Sequence, residues 1–250
     1  MNDALPRPLS NAPAEMERVL QAAEVNNVVL RAIGGLAIYL RCPSARRPPL
    51  QRTYKDLDLV GRSGQAQGIG ALMEELGYVP DREFNLLHGH QRLYFWDRAH
   101  VRQLDVFIDN FEMCHPLALK DRLDLEAGTL PLADLLLTKL QVVEVNEKDL
   151  KDASALLVDH EISPDDIDPE RVTSLLGSDW GWWRTASENL AKVRDFATSQ
   201  VGLEGPPVIA ERIARLLWLI EETPKTLKWK LRARVGEKVR WYNLPEEVDA

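Results

Sequence analysis

The apolar positions along the chain change period several times, and each change predicts an element. From Ala14 to Val25, the residues Met16, Val19, Leu20 and Ala23 recur at helical spacing, and Asn26-Asn27 ends the run. Val28 to Ile33 (VVLRAI) is short and β-branched, which reads as a buried strand. It runs into Gly34-Gly35, and the stretch LAIYL then resumes a helix. Thr53 to Val60 alternates and predicts a strand closed by Gly61, while Ala66 to Leu76 predicts a helix with Gly77 as its cap. After Pro80, the pieces FNLLH, QRLYFWD and VRQLDVFID read as strands of a small antiparallel meander. Beyond Ile108 the pattern is helical, over 117–125, 132–145, 149–159, 169–176, 182–199 and 208–222. The expectation is two domains, an α/β domain over 1–125 and an all-helical one over 126–250.

Composition narrows the class without changing this picture. The chain is 45% hydrophobic and 28% charged, as in soluble globular proteins. No apolar run approaches the roughly 20 residues that span a bilayer, so no membrane partner is expected. The opening MNDALPRPLSNAP has neither the basic nor the apolar region of a secretory signal, so a cytoplasmic location is expected. Cys42 and Cys114 are too few for a disulfide scaffold and lack metal-ligand spacing, which suits free thiols in a reducing cytosol.

Net charge is −8, from 39 acidic and 31 basic residues, which argues against wholesale coating of nucleic acid. The charge is unevenly spread, however. Lys225 to Arg240 holds seven basic residues and one acid, whereas Glu144 to Glu170 holds ten acids and two bases. Residues 1–125 carry 15 bases and 16 acids, so most of the acidic excess belongs to the second half. Global acidity therefore excludes only non-specific binding.

The candidate chemistry begins with KDLDLV. On a strand, Asp56 and Asp58 project from one face, roughly 7 Å apart, while Leu57 and Leu59 point to the other. Aligned carboxylates repel unless a cation sits between them, and Mg²⁺ suits oxygen ligands completed by phosphates. By itself D-x-D also fits an edge strand with a solvated acidic face. Upstream, strand–Gly34-Gly35–helix offers bare backbone N–H groups at a helix N-terminus, as an anionic phosphate requires. Downstream, RQLDVFID supplies a third strand carboxylate, Asp105, with Asp109 a weaker candidate at the strand end. Three such carboxylates could hold two metal ions.

Strand–GG–helix, then R-x-x-x-D-x-D (Arg52 to Asp58), then a later aspartate flanked by hydrophobic residues resembles the nucleotidyltransferase superfamily of DNA polymerase β. The resemblance implies an α+β chain: a small mixed sheet flanked by helices, followed by an all-helical C-terminal domain. It also implies transfer of a nucleoside monophosphate from an NTP to an acceptor hydroxyl, with Mg²⁺ or Mn²⁺ as cofactor. By motif position, Asp56 and Asp58 match the metal pair, Asp105 the third carboxylate, and Gly34 and Gly35 the phosphate loop, with Arg52 beside them. Leu130 to Leu157 is similar to the helical segment of the AbiEii-type toxin nucleotidyltransferases, in which a K-L pair precedes a basic-D-x-x-D cluster. Here the matches are Lys139-Leu140, Lys148-Asp149 and Asp152. On that likeness Lys139 supplies a point charge to the phosphates, and Asp149 and Asp152, on one helix face, orient it or an arginine. The likeness spans about Val28 to Leu157. Two features depart from it: the second glycine stands where a serine is commonest, and the Gly35–Asp56 interval is long, leaving a loop with Arg41, Arg46, Arg47 and Arg52.

The remaining motifs are less specific. His88 and His90 lack a third ligand nearby, and Gly89 between them suits a turn. Cys114 and His115 are adjacent and point apart on a strand end. DWGWWR (Asp179 to Arg184) suits aromatic packing between helices better than base stacking. In KTLKWKLRARVGEKVRW, Lys228, Lys230, Arg232 and Arg234 line one face if the segment is a strand and spread round it if it is a helix. RNA contact is expected through Arg41–Arg52 and Lys225–Arg240, with a cognate protein as a further partner. The leading expectation is a metal-dependent nucleotidyltransferase acting on an RNA end, a small molecule or a protein. The alternatives are a non-catalytic nucleotide- or partner-binding module and the toxin-like component of a two-gene system.

Overall fold

A computed structural model describes residues 7–244. The chain divides into two compact units whose boundary is not a single cut. One unit gathers the chain up to Leu40 with Thr53–Phe111 and Ala118–Leu130; the other gathers Arg41–Arg52, Glu112–Leu117 and the chain from Pro131 onward.

In the first unit, α1 (Ala12–Val25) begins where Asn11 accepts a hydrogen bond from the Ala14 amide and buries Met16, Val19 and Ala23. It stops at Asn26, and Asn27 takes a left-handed φ of 55°. Next come β1 (Leu30–Ala32), α2 (Gly34–Arg41), β2 (Leu57–Gly61), α3 (Ala66–Glu75) and β3 (Val79–Pro80). After them follow α4 (Arg82–His88), β4 (Arg92–Asp97) and β5 (Arg102–Ile108). The five strands form one mixed sheet in the order β1-β2-β5-β4-β3, with β2 and β5 parallel and the other pairs antiparallel. Leu57 and Leu59 of β2 and Leu104 and Val106 of β5 are fully buried on one face, with Ile69 and Met73 of α3 also in the core. The chain is thus mixed α+β, with a helical region following the sheet.

Several segments differ from the sequence expectation; among them, the helix expected over 132–145 ends at Leu140. FNLLH is part of α4 rather than a strand, because Asp81 caps it by accepting from the Phe84 amide. The outer strand of the meander is instead the short β3. Strand β2 begins at Leu57, so Thr53–Asp56 precedes it. Residues 117–125 are not helical. Leu117 and Leu119 are buried between exposed neighbours, a period of two, and the chain forms β7 (Pro116–Ala118) and a 3-10 turn at Lys120–Arg122. Together with β6 (Asn110–Glu112), β7 makes a separate two-stranded ribbon.

The second unit is built from α5 (Leu132–Leu140), α6 (Glu147–Asp159), α7 (Pro169–Ser178), α8 (Trp180–Ser199), α9 (Pro206–Glu222) and α10 (Leu227–Val235). Helix α6 packs against α5, α8, α9 and the 3-10 turn Pro43–Arg46. Asp159 at the end of α6 accepts from both the amide and the hydroxyl of Ser44, at 2.9 and 2.8 Å, which ties the arginine-bearing segment to the helical unit. The basic segment resolves as a helix, capped by Thr226 and with no buried residue, so its positive charges spread round the cylinder. None of the described helices is long and apolar enough to cross a membrane.

Candidate functional site

The carboxylate face is assembled by strand register. Asp58 of β2 lies directly beside Asp105 of the parallel strand β5, so both side chains leave the same face of the sheet. Asp56 precedes β2, and its charge acts on Asp105. The three differ in burial: Asp56 is exposed, Asp58 half-buried, and Asp105 only 3% exposed.

The glycine turn is laid against this face. The Ile33 amide donates to the Asp58 carbonyl at 3.0 Å, which draws the end of β1 onto β2. Gly34, the first residue of α2, has φ +66°, and a Cβ built there would lie 2.5 Å from Asp58 Oδ2. Only glycine accepts both the left-handed backbone and that contact. The amide-rich first turn of α2 therefore starts beside a carboxylate, while Gly35 is buried inside the helix. Of the two glycines, it is Gly34 that permits the close approach.

Asp105 is not a bare carboxylate. Arg92 Nε of β4 donates to its Oδ1 at 2.7 Å, and the Arg92 guanidinium lies over the Phe107 ring at 5.0 Å. Burial pushes the Asp105 carboxyl above the usual carboxylate range, Arg92 opposes the shift, and the charge of Asp56 adds to it. Tyr94, the β4 residue opposite Asp105, has its hydroxyl pushed up by burial and by the Asp105 charge. Arg92 and Tyr94 carry no sequence motif. The signal for them was the period of two in QRLYFWD, which puts both on the face of Asp105 once the register is known. Among the described residues, no three His, Cys, Asp or Glu side chains group as a metal-holding cluster. Asp58 and Asp105 share one face of the sheet, and there Asp105 is held by an arginine. Asp109, at φ 58°, accepts from the Ser63 amide and serves a turn.

The basic-D-x-x-D region forms a different constellation in the helical unit. Lys139 Nζ of α5 lies 3.1 Å from Asp149 and 2.9 Å from Asp152, both on α6. Asp152 also accepts from Arg52 Nε and NH2, at 2.9 and 2.7 Å. Burial opposes charge on both Lys139 and Asp152. The pairing outweighs it, so the lysine is held above its usual pKa and the aspartate below. Two cations face two carboxylates, and the group joins α5, α6 and the end of the arginine-bearing segment. Lys148 stands outside it, exposed, with its amide bonded to the Asn146 cap.

The weaker motifs have structural partners. His88 ends α4 with its ring 4.9 Å from that of Phe84. His115 is buried against Trp182 and shares a 2.8 Å hydrogen bond with the Thr185 hydroxyl. Burial lowers its pKa to about 4. Cys42 and Cys114 are both buried free thiols. Trp180 and Trp182 are buried at the start of α8, with Trp180 in ring contact with Trp183 and Trp241.

No protein-family model matches the chain, and no curated protein matches it. Two solved structures align with it at low identity. One is the antibiotic-resistance factor ANT(2'')-Ia, 12% identical over 74% of this chain and 94% of that chain, with a TM-score of 0.40. The other is an antigenic nucleotidyltransferase-like protein from Paracoccidioides brasiliensis, 13% identical over 88% of this chain and 97% of that one, with a TM-score of 0.42.

Proposed function

We propose that the chain is a nucleotidyltransferase that moves a nucleoside monophosphate from an NTP to an acceptor hydroxyl. The observation that carries the reading is the close fit of Gly34 to Asp58. The turn opens a helix N-terminus, where backbone N–H groups suit phosphate, directly beside paired acidic positions. Asp56 and Asp58 are hard oxygen donors suited to Mg²⁺ or Mn²⁺, and a cation held by them would neutralise charge on the triphosphate. The first-turn amides of α2 hold phosphate oxygens by hydrogen bonds.

In the transfer, the acceptor oxygen bonds to the α-phosphorus, the bond to the bridging α–β oxygen breaks, and pyrophosphate leaves. The acceptor proton passes to the Asp105 carboxylate. Its raised affinity for protons suits a base, and Arg92 fixes its orientation. Lys139 and Arg52 are assigned no step in this reading, since they are ion-paired with Asp149 and Asp152 inside the helical unit. The acceptor is proposed to be an RNA end, a small molecule or a protein side chain.

Incubation with each α-phosphate-labelled NTP, Mg²⁺ and total RNA, beside an RNA-free control, tests the activity. The expected result is label transfer that Asp58→Ala abolishes while the melting temperature is kept. Transfer unchanged in that variant would refute the assignment, and NTP binding without transfer under every condition would favour the non-catalytic module.

A further inference from the structure

The helical unit contains a cleft of about 460 Å³, within the range of small-ligand pockets. Its wall brings together Trp180, Trp229 and Trp241 with Lys228, Arg232 and Arg240. These residues come from α8, α10 and the segment after α10, which the Asn243 amide secures by donating to the Cys114 carbonyl at 2.9 Å. Asp179 also lines the cleft, but its carboxylate is used as the cap of α8 through the Trp182 amide. The wall is therefore net positive. Two of the three cations lie over aromatic rings: Arg232 is 4.8 Å from the Trp180 ring centroid and Arg240 is 5.9 Å from that of Tyr242. Trp229, Trp241 and Tyr242 are only half-buried, while Lys228 and Arg240 are exposed at the mouth. The indole nitrogen of Trp229 is buried and has no hydrogen-bond acceptor among the described residues.

We infer that this cleft binds a nucleotide unit, with the flat base against the tryptophan-lined wall and its phosphate at Lys228 and Arg240. Basic residues interleaved with aromatic surface suit the two parts of a nucleotide, the charged phosphate and the π-face of the base. An aliphatic anion would leave the aromatic wall unused, and a neutral aromatic would leave the cations unused. The nucleotide unit comes either from single-stranded RNA or from a free mononucleotide. None of the carboxylate-face residues lines the cleft, and the inference does not rest on transfer activity.

The test is tryptophan-fluorescence titration of the full chain, in low salt, with a ten-nucleotide single-stranded RNA, with AMP and UMP, and with ribose 5-phosphate. Wild-type protein should bind a base-bearing probe at least ten times more tightly than ribose 5-phosphate. Lys228→Glu/Arg240→Glu should weaken that binding at least tenfold, and Lys228→Gln/Arg240→Gln should weaken it less, with melting temperatures unchanged. Asp58→Ala should bind as wild type, which separates this site from the proposed catalytic one. Tight binding of the oligomer alone identifies RNA as the source, and equal binding of AMP or UMP identifies the mononucleotide. The inference is overturned if no base-bearing probe binds, if ribose 5-phosphate binds equally well, or if the charge reversals leave binding unchanged.

Discussion

Gly34 and Asp58 stand in contact that leaves no room for a side chain: a Cβ on Gly34 would lie 2.5 Å from Asp58 Oδ2, at a backbone φ of +66°. Gly34→Ala should therefore destabilise the chain by about 1–3 kcal/mol, part from the left-handed backbone and part from the collision. In an Asp58→Ala background the 2.5 Å contact disappears, leaving the backbone part and a 3.3 Å approach to the Cβ of residue 58. Chemical denaturation of the two single variants and the double variant measures the difference as a coupling energy. Strictly additive effects would mean that the glycine is needed for its backbone alone.

Asp152 is 2% exposed and is ion-paired with both Lys139 and Arg52. Asp152→Ala leaves two cations without their shared partner and should cost about 3–5 kcal/mol in urea unfolding. The pH dependence follows from the lowered pKa of this carboxyl. Its contribution is fully present above the unfolded value of about 3.9 and is lost as pH falls through the lower folded value. The acid limb of the stability profile should flatten in the variant.

Burial lowers His115 to a pKa of about 4, against about 6.5 in the unfolded chain. The folded state thus needs the neutral ring. Stability from this site is complete above about pH 6.5 and declines as pH falls to about 4, by roughly 3 kcal/mol. His115→Gln should remove that slope while retaining a hydrogen bond to Thr185. Denaturation series at pH 7, 5.5 and 4.5 on both proteins decide it, and an unchanged slope would place the titration elsewhere.

Arg92 opposes the rise in the Asp105 pKa that burial causes. In Arg92→Gln the carboxyl should rise further, so it loses its proton only at higher pH. If Asp105 is the base, the acidic limb of the transfer-rate profile should move to higher pH, with little change in NTP affinity. A drop in rate equal at all pH values would instead indicate lost positioning.

Local order was legible wherever one period held for two or more helical turns. The helices α1, α3 and α6 to α9 follow from spacing, and the amide-accepting side chains of Asn11, Asn146 and Asp168 mark where three of them start. Short apolar runs were not legible. FNLLH offers five residues that suit either state, and what decides it is the cap at Asp81 together with the Asn85 side chain, which bonds the Tyr94 backbone. Lys225–Arg240 alternates charge in a way that fits both states, and the Thr226 cap settles it as helical.

For the candidate site the division is similar. Asp56, Asp58 and Gly34 stand out because D-x-D and strand–glycine–helix are local patterns in the sequence. The pairing of Asp58 with Asp105 depends on parallel register between strands far apart in the chain, and Arg92 reaches Asp105 only across a second strand pair. Arg52 meets Asp152 across 100 residues, which places the arginine-bearing segment with the helical unit rather than with the strands on either side of it. Period and capping act over a few residues and can be read from the chain itself. Charge pairing, burial and the protonation they impose depend on which distant groups share a low-dielectric space, and that is settled only when the chain has folded.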